Sequence, residues 1–138
     1  MLAPTRRQTG DAIVIADRNA HMRETLRRVL VQAGDDHRIH EAANFRDALR
    51  SVRSTGARLV LLDVDLVMNQ PAARLRRIVD GFPGLRVIVL LNENLPEYRQ
   101  AIADRGGYSR VGKEDAQSEL PEALLTSSVT PSASHALT

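Results

Sequence analysis

Cysteine is absent from all 138 residues. That excludes disulfides, thiol nucleophiles and cysteine-held zinc or iron–sulfur centres. Tryptophan is absent too, and Phe45, Phe82, Tyr98 and Tyr108 are the only aromatic residues. The core must therefore be aliphatic, and a base-stacking surface or an aromatic-lined peptide groove lacks its material. Charge of one sign is also lacking: 19 Lys/Arg against 17 Asp/Glu leave a formal +2, too small to demand a nucleic-acid partner. The N-terminal "PTRRQ" reads as a solvated basic patch. Four scattered histidines, His21, His37, His40 and His135, show no metal-binding spacing. Apolar runs fall far short of the roughly 20 residues that cross a bilayer, and the N-terminus lacks the apolar stretch of a secretion signal. The expected location is the cytoplasm, with no membrane contact.

What is present is an alternation of short apolar runs with longer amphipathic segments, in a chain sized for one domain. "AIVIA", ended by Asp17, reads as a buried strand, and Leu26, Val29, Leu30 and Ala33 mark the helix that follows, stopped by Gly34. "HRIHEAA" is a polar strand near a sheet edge. Asn44 caps a helix with apolar face Phe45, Ala48, Leu49 and Val52. "RLVLL" is apolar on consecutive residues, as a strand covered on both faces should be, and it ends at Asp63. Pro71 opens a helix through Leu75, Ile78 and Val79, and "LRVIVLL" is the fourth strand. A fourth helix has Pro96 in its first turn and Gly106 at its end; "YSRV" is the fifth strand, and "EDAQSELPEALL" is helical but interrupted by Pro121. The Ser/Thr/Ala-rich end of the chain reads as disordered tail or linker.

Five strands alternating with helices give a parallel sheet with both faces covered. Right-handed crossovers bring every strand C-terminus to one edge, where open sheets of this kind place ligands. Asp17, Asp63, Leu91 with Asn92, and the loop after Val111 converge there. The plain alternative for Asp63 is a carboxylate capping the next turn. No glycine-rich loop follows the first strand, and no serine elbow is present, so a dinucleotide site and a hydrolase triad are both unsupported.

In "IVIADRNAHMRETLRRVL", "RLVLLDVDL", "LRVIVLL" and "AIADRGGYSRVGK" the chain resembles the receiver domain of two-component response regulators, in detail the NarL/FixJ-like subfamily. The resemblance implies a flavodoxin-like doubly wound (βα)5 three-layer sandwich in the α/β class, with a five-stranded parallel sheet of order 2-1-3-4-5. It implies a flexible segment at 1–10, a receiver domain at 11–125, and at 126–138 a disordered tail or a linker to an absent output domain. It places the phospho-accepting carboxylate on Asp63, a metal-holding acid on Asp17, a metal-binding backbone carbonyl on Asp65 and the phosphate-contacting lysine on Lys113. Three positions depart from the pattern: a second acid becomes Arg18, a hydroxyl residue becomes Leu91, and an aromatic switch residue becomes Arg110.

Arg18 beside a Mg²⁺ site costs on the order of 3 kcal/mol for like charges about 5 Å apart at an effective dielectric of about 20. Two outcomes stay open: Arg18 turns away, or its guanidinium sits between Asp17 and Asp63 in place of the metal. Leu91 and Arg110 remove the parts that would read out an acyl phosphate.

The expectation is an atypical receiver domain, not an enzyme beyond self-phosphorylation of Asp63 from a phosphodonor, with Mg²⁺ binding weakened by Arg18 or absent. Its partners would be a sensor histidine kinase or another signalling protein, or a second copy. The contact would run through the face of the fourth helix, fifth strand and fifth helix, with Leu95, Ala101, Ile102, Val111, Leu120 and Leu124 as apolar contributors. The alternatives are a phosphorylation-independent partner-binding module, or the isolated regulatory domain of a helix-turn-helix transcription regulator. This chain alone carries no element to bind DNA specifically.

Overall fold

The computed structural model describes residues 12–34, 38–92, 96–104 and 108–125. The expected segments 1–10 and 126–138, and the helix stop at Gly106, lie outside the described residues. Consecutive apolar residues make the strands β1 (Ala12–Ala16), β3 (Leu59–Asp63) and β4 (Arg86–Leu91), buried on both faces save Arg86. The more polar β2 (Arg38–Ala42) and β5 (Ser109–Gly112) form the two edges. All pairings are parallel, in the order β2-β1-β3-β4-β5. The parallel sheet is the one the alternating pattern predicts, and its strand order is the flavodoxin-like order that the receiver resemblance implies.

Helices cover both faces. Helix α1 (Ala20–Gln32) lies on one face, where Leu26, Val29 and Leu30 pack with Ile13, Ile15, Leu61, Ile88 and Leu90. Against the other face pack α2 (Phe45–Thr55), α3 (Val64–Met68), α4 (Ala72–Asp80) and α5 (Pro96–Asp104), through Ala48, Val52, Leu66, Val67, Leu75 and Ile102. Helix α6 (Ala116–Leu125) returns to the first face with Ala116 and Leu120. Caps behave as read: the Asn44 side chain accepts the Asp47 N–H at 2.8 Å, and Gly56 ends α2 at φ +68°, where a side chain would be strained.

Directly after Asp63, Val64, Leu66 and Val67 bury themselves as a turn of helix, an element absent from the sequence reading. Two readings need correction. Pro121 does not interrupt α6; packing of Leu120 before it and of Ala123 and Leu124 after it against the sheet cluster outweighs one lost hydrogen bond. Ala33 is exposed at the C-cap of α1 rather than part of its apolar face.

Candidate functional site

Parallel pairing puts the ends of β1, β3, β4 and β5 side by side, with Asp63 opposite Leu90 and Leu91 opposite Gly112. Asp17, the residue after β1, and Asp63, the last of β3, are 2% and 3% exposed and are the only buried polar or charged residues among those described. Lys113 follows β5 at the start of a 3-10 turn (Lys113–Asp115). Its Nζ stands 2.7 Å from Asp17 Oδ2 and 2.7 Å from Asp63 Oδ1. One ammonium thus bridges both carboxylates. The remaining Asp17 oxygen, Oδ1, accepts the Asn19 N–H at 2.8 Å. Asn19 in turn caps α1 by accepting the Met22 N–H.

The electrostatics follow from burial. Desolvation pushes the Asp63 carboxyl above its ordinary range, Lys113 opposes this, and the neighbouring Asp17 and Asp65 add to it. For Lys113, burial alone would lower the ammonium's pKa, but its bonds to Asp17 and Asp63 outweigh that and hold it above its usual value. Lys113 is also the sole lysine in the chain; the other 18 basic residues are arginine. That singularity was a signal in the sequence: a compact, three-donor ammonium reaches two carboxylates at once where a planar fork would not.

Of the departures from the receiver pattern, Arg18 is exposed, and the cation between the acids is Lys113. The chain geometry accounts for this: β1 ends at Ala16, and Arg18 lies in the bend between the strand and the Asn19 cap, beyond the cover of the sheet. Leu91 is buried in the apolar cluster with Val89 and Ile102. Arg110 is exposed on the edge strand β5.

Mg²⁺ requires near-octahedral oxygen ligands from carboxylates, carbonyls and water. Most donors here are committed elsewhere: one oxygen each of Asp17 and Asp63 to Lys113, the other of Asp17 to Asn19, and the Asp65 carbonyl to the Asn69 N–H at 3.2 Å within α3. Among the described residues, no three acidic or histidine side chains converge on a metal position. The residues as placed do not fit the ion.

The neighbouring face also differs from expectation. Ile102, Val111 and Leu120 are buried in the core and are not presented outward; Ala101 and Leu124 are half-buried, and Leu95 lies outside the described residues. Periodic apolar positions on α5 and α6 serve the sheet. What reaches the surface between α5, β5 and α6 is charged: a cavity of about 210 Å³ lined by Leu91, Asn92, Arg99, Arg110, Gly112 and the acids Glu114, Asp115 and Glu119.

Against solved structures, the chain superposes on the receiver domain of the putative response regulator NarL from Mycobacterium tuberculosis with a TM-score of 0.74 at 19% identity, over 88% of this chain and 99% of that one. The non-phosphorylated receiver domain of the stress response regulator RcsB from Escherichia coli gives 0.72 at 23%, over 84% and 91%. The fold is that of a response-regulator receiver domain. A longer RcsB chain from Salmonella typhimurium, in a study of its DNA interaction, matches at 0.71 and 22%; the present chain covers 84% of itself and 58% of that protein. No family model and no curated protein matches the sequence. The receiver fold is therefore established by shape, and the pocket at its strand tips has to be interpreted from its own residues. Among the described residues no helix is long and apolar enough to cross a membrane.

Proposed function

We propose that this chain is an atypical receiver domain of two-component signalling that works as a docking module, with phosphorylation of Asp63 weak or absent. The observation that carries the reading is the 2.7 Å contact of the single lysine with both buried carboxylates. A carboxylate accepts a phosphoryl group as an ionised, unencumbered nucleophile, with cationic charge free to receive the transferring oxygens. Here Asp63 Oδ1 is occupied, burial favours the protonated carboxyl, and Lys113, the one cation in the pocket among the described residues, is spent on the ground state. Leu91 supplies no hydroxyl and Arg110 no ring, so an adduct would lack its usual readout.

Function then rests on protein–protein contact through the charged surface of α5, β5 and α6, with a histidine kinase, another signalling protein or a second copy. Arg99 and Arg110 beside Glu114, Asp115 and Glu119 supply charge of both signs, which suits a self-complementary contact. The longer RcsB match supports a second reading, in which such a domain regulates a DNA-binding unit elsewhere in a larger protein. In either reading the domain is cytoplasmic and is not an enzyme.

Intact mass after incubation with acetyl phosphate or phosphoramidate and Mg²⁺, with Asp63→Asn alongside, tests the proposal. The expected spectrum shows no stoichiometric adduct. A labile phosphoryl gain confined to the wild type would overturn the silent-site reading and make Asp63 an acceptor.

A further inference from the structure

A cation near the N-terminus of a helix opposes the peptide dipole. Arg23 nevertheless stands one turn into α1, whose first turn has no acidic residue. Its side chain is only 17% exposed. Nη1 donates to the main-chain carbonyl of Asp17 at 2.7 Å, and Nε donates to Glu41 Oε1 on β2 at 2.8 Å. The other Glu41 oxygen accepts from Arg27 Nε at 3.0 Å, and Arg27 Nη2 donates to the Ile39 carbonyl at 3.3 Å. A run of charge-assisted bonds therefore leads from the edge strand to the backbone of Asp17. The Asp17 side chain continues it to Lys113 and Asp63.

We propose that Arg23, oriented by Glu41, is a positioning residue for Asp17: it fixes the main chain just past β1 so that the carboxylate meets Lys113, and it makes the edge strand β2 part of the site. The proposal rests on the reading of Lys113 as a locked bridge. A guanidinium suits the task because one side chain must reach a carboxylate and a carbonyl in fixed directions, which a point-like ammonium does less well. The Arg28–Glu24 pair on the same helix, at 2.9 Å and well exposed, has no connection to the pocket and is the natural control.

The single lysine makes the test direct. An amine-acylating reagent meets two amines in the full chain, the α-amine and Lys113, and peptide mass spectrometry gives the ratio of their labelling. In the wild type Lys113 is strongly protected. Arg23→Gln raises Lys113 labelling about tenfold, the opening expected from losing a charge-assisted hydrogen bond, with the α-amine unchanged. Glu41→Gln acts in the same direction and less, and the double variant labels no faster than Arg23→Gln, because both act through one contact. Arg28→Gln leaves the ratio at its wild-type value. Wild-type protection retained in Arg23→Gln and Glu41→Gln would overturn the positioning role while leaving the bridge intact. An equal rise in Arg28→Gln would overturn it by showing general loosening of the helix. Lys113 labelling as fast as the α-amine in the wild type would remove the bridge itself, and the positioning role with it. Should Arg23→Gln fail to fold, Glu41→Gln against Arg28→Gln decides.

Discussion

The tips of β1 and β3 and the flank of β5 lie along the same edge of the sheet, yet they are built in opposite ways. At the first, two carboxylates 2% and 3% exposed are closed over by one ammonium. At the second, Arg110 and the acids Glu114, Asp115 and Glu119 stand in water around an open cavity. Burial makes charge expensive and forces pairing; exposure makes it cheap and leaves it available to a partner. On the proposed reading the acidic pocket is a structural lock, and the β5 flank is the surface on which recognition acts.

If that contrast is right, substitutions at the two places differ sharply in size. Lys113→Met leaves two buried carboxylates without a cation and should lower stability by about 3–5 kcal/mol, read from urea midpoints at constant slope. Leu91→Thr restores the hydroxyl of the receiver pattern but buries it among apolar neighbours; a loss of about 1–3 kcal/mol is expected in the same assay. A cost near zero would mean that the hydroxyl finds a partner, and the boundary between the two regions would have to be redrawn.

The pH dependence sharpens the comparison further. Lys113 titrates above its ordinary 10.5 in the folded chain, so its stabilising contribution is complete below that value and is lost as pH rises through the raised folded pKa. Asp63 is raised above its ordinary 3.8, so the folded state takes up its proton first. Its contribution is fully present below 3.8 and lost as pH rises through the folded value. Melting the wild type against Asp63→Asn across the acid range should show the wild type gaining relative stability as pH falls. The smallest effect belongs to the open flank: Arg110→Ala should change stability by no more than about 0.5 kcal/mol. If it instead costs as much as Leu91→Thr, Arg110 is not the solvated residue its exposure indicates.

Much of this was legible in the residues. Consecutive apolar runs ending in Asp17 and Asp63 carried the parallel sheet and brought both acids to one edge, because burial on two faces leaves no other strand pattern. The turn of helix at Val64–Met68 was not legible, since five residues are too few for a helical period to show. The apolar make-up of the expected contact face was misjudged for a related reason: the period located apolar positions on α5 and α6 correctly but could not say that the sheet would consume them. Arg23 and Glu41 lie 18 residues apart, and only the pairing of β2 with β1 brings them together. Arg18 was the candidate to neutralise the acids, and Lys113 is the cation that does so. The choice between them is made by side-chain direction past the strand ends, which residue identity does not carry.

The central claim is that Lys113 occupies the acidic pocket in place of a metal. A Mg²⁺ titration of the wild-type chain followed by amide ¹H–¹⁵N shifts tests it most directly. The account predicts no saturable shifts at Asp17, Asp63 or Lys113 across the millimolar range, only weak linear drift. Saturable shifts at those three residues would mean that the ion displaces the ammonium, and the pocket would be a working metal site after all.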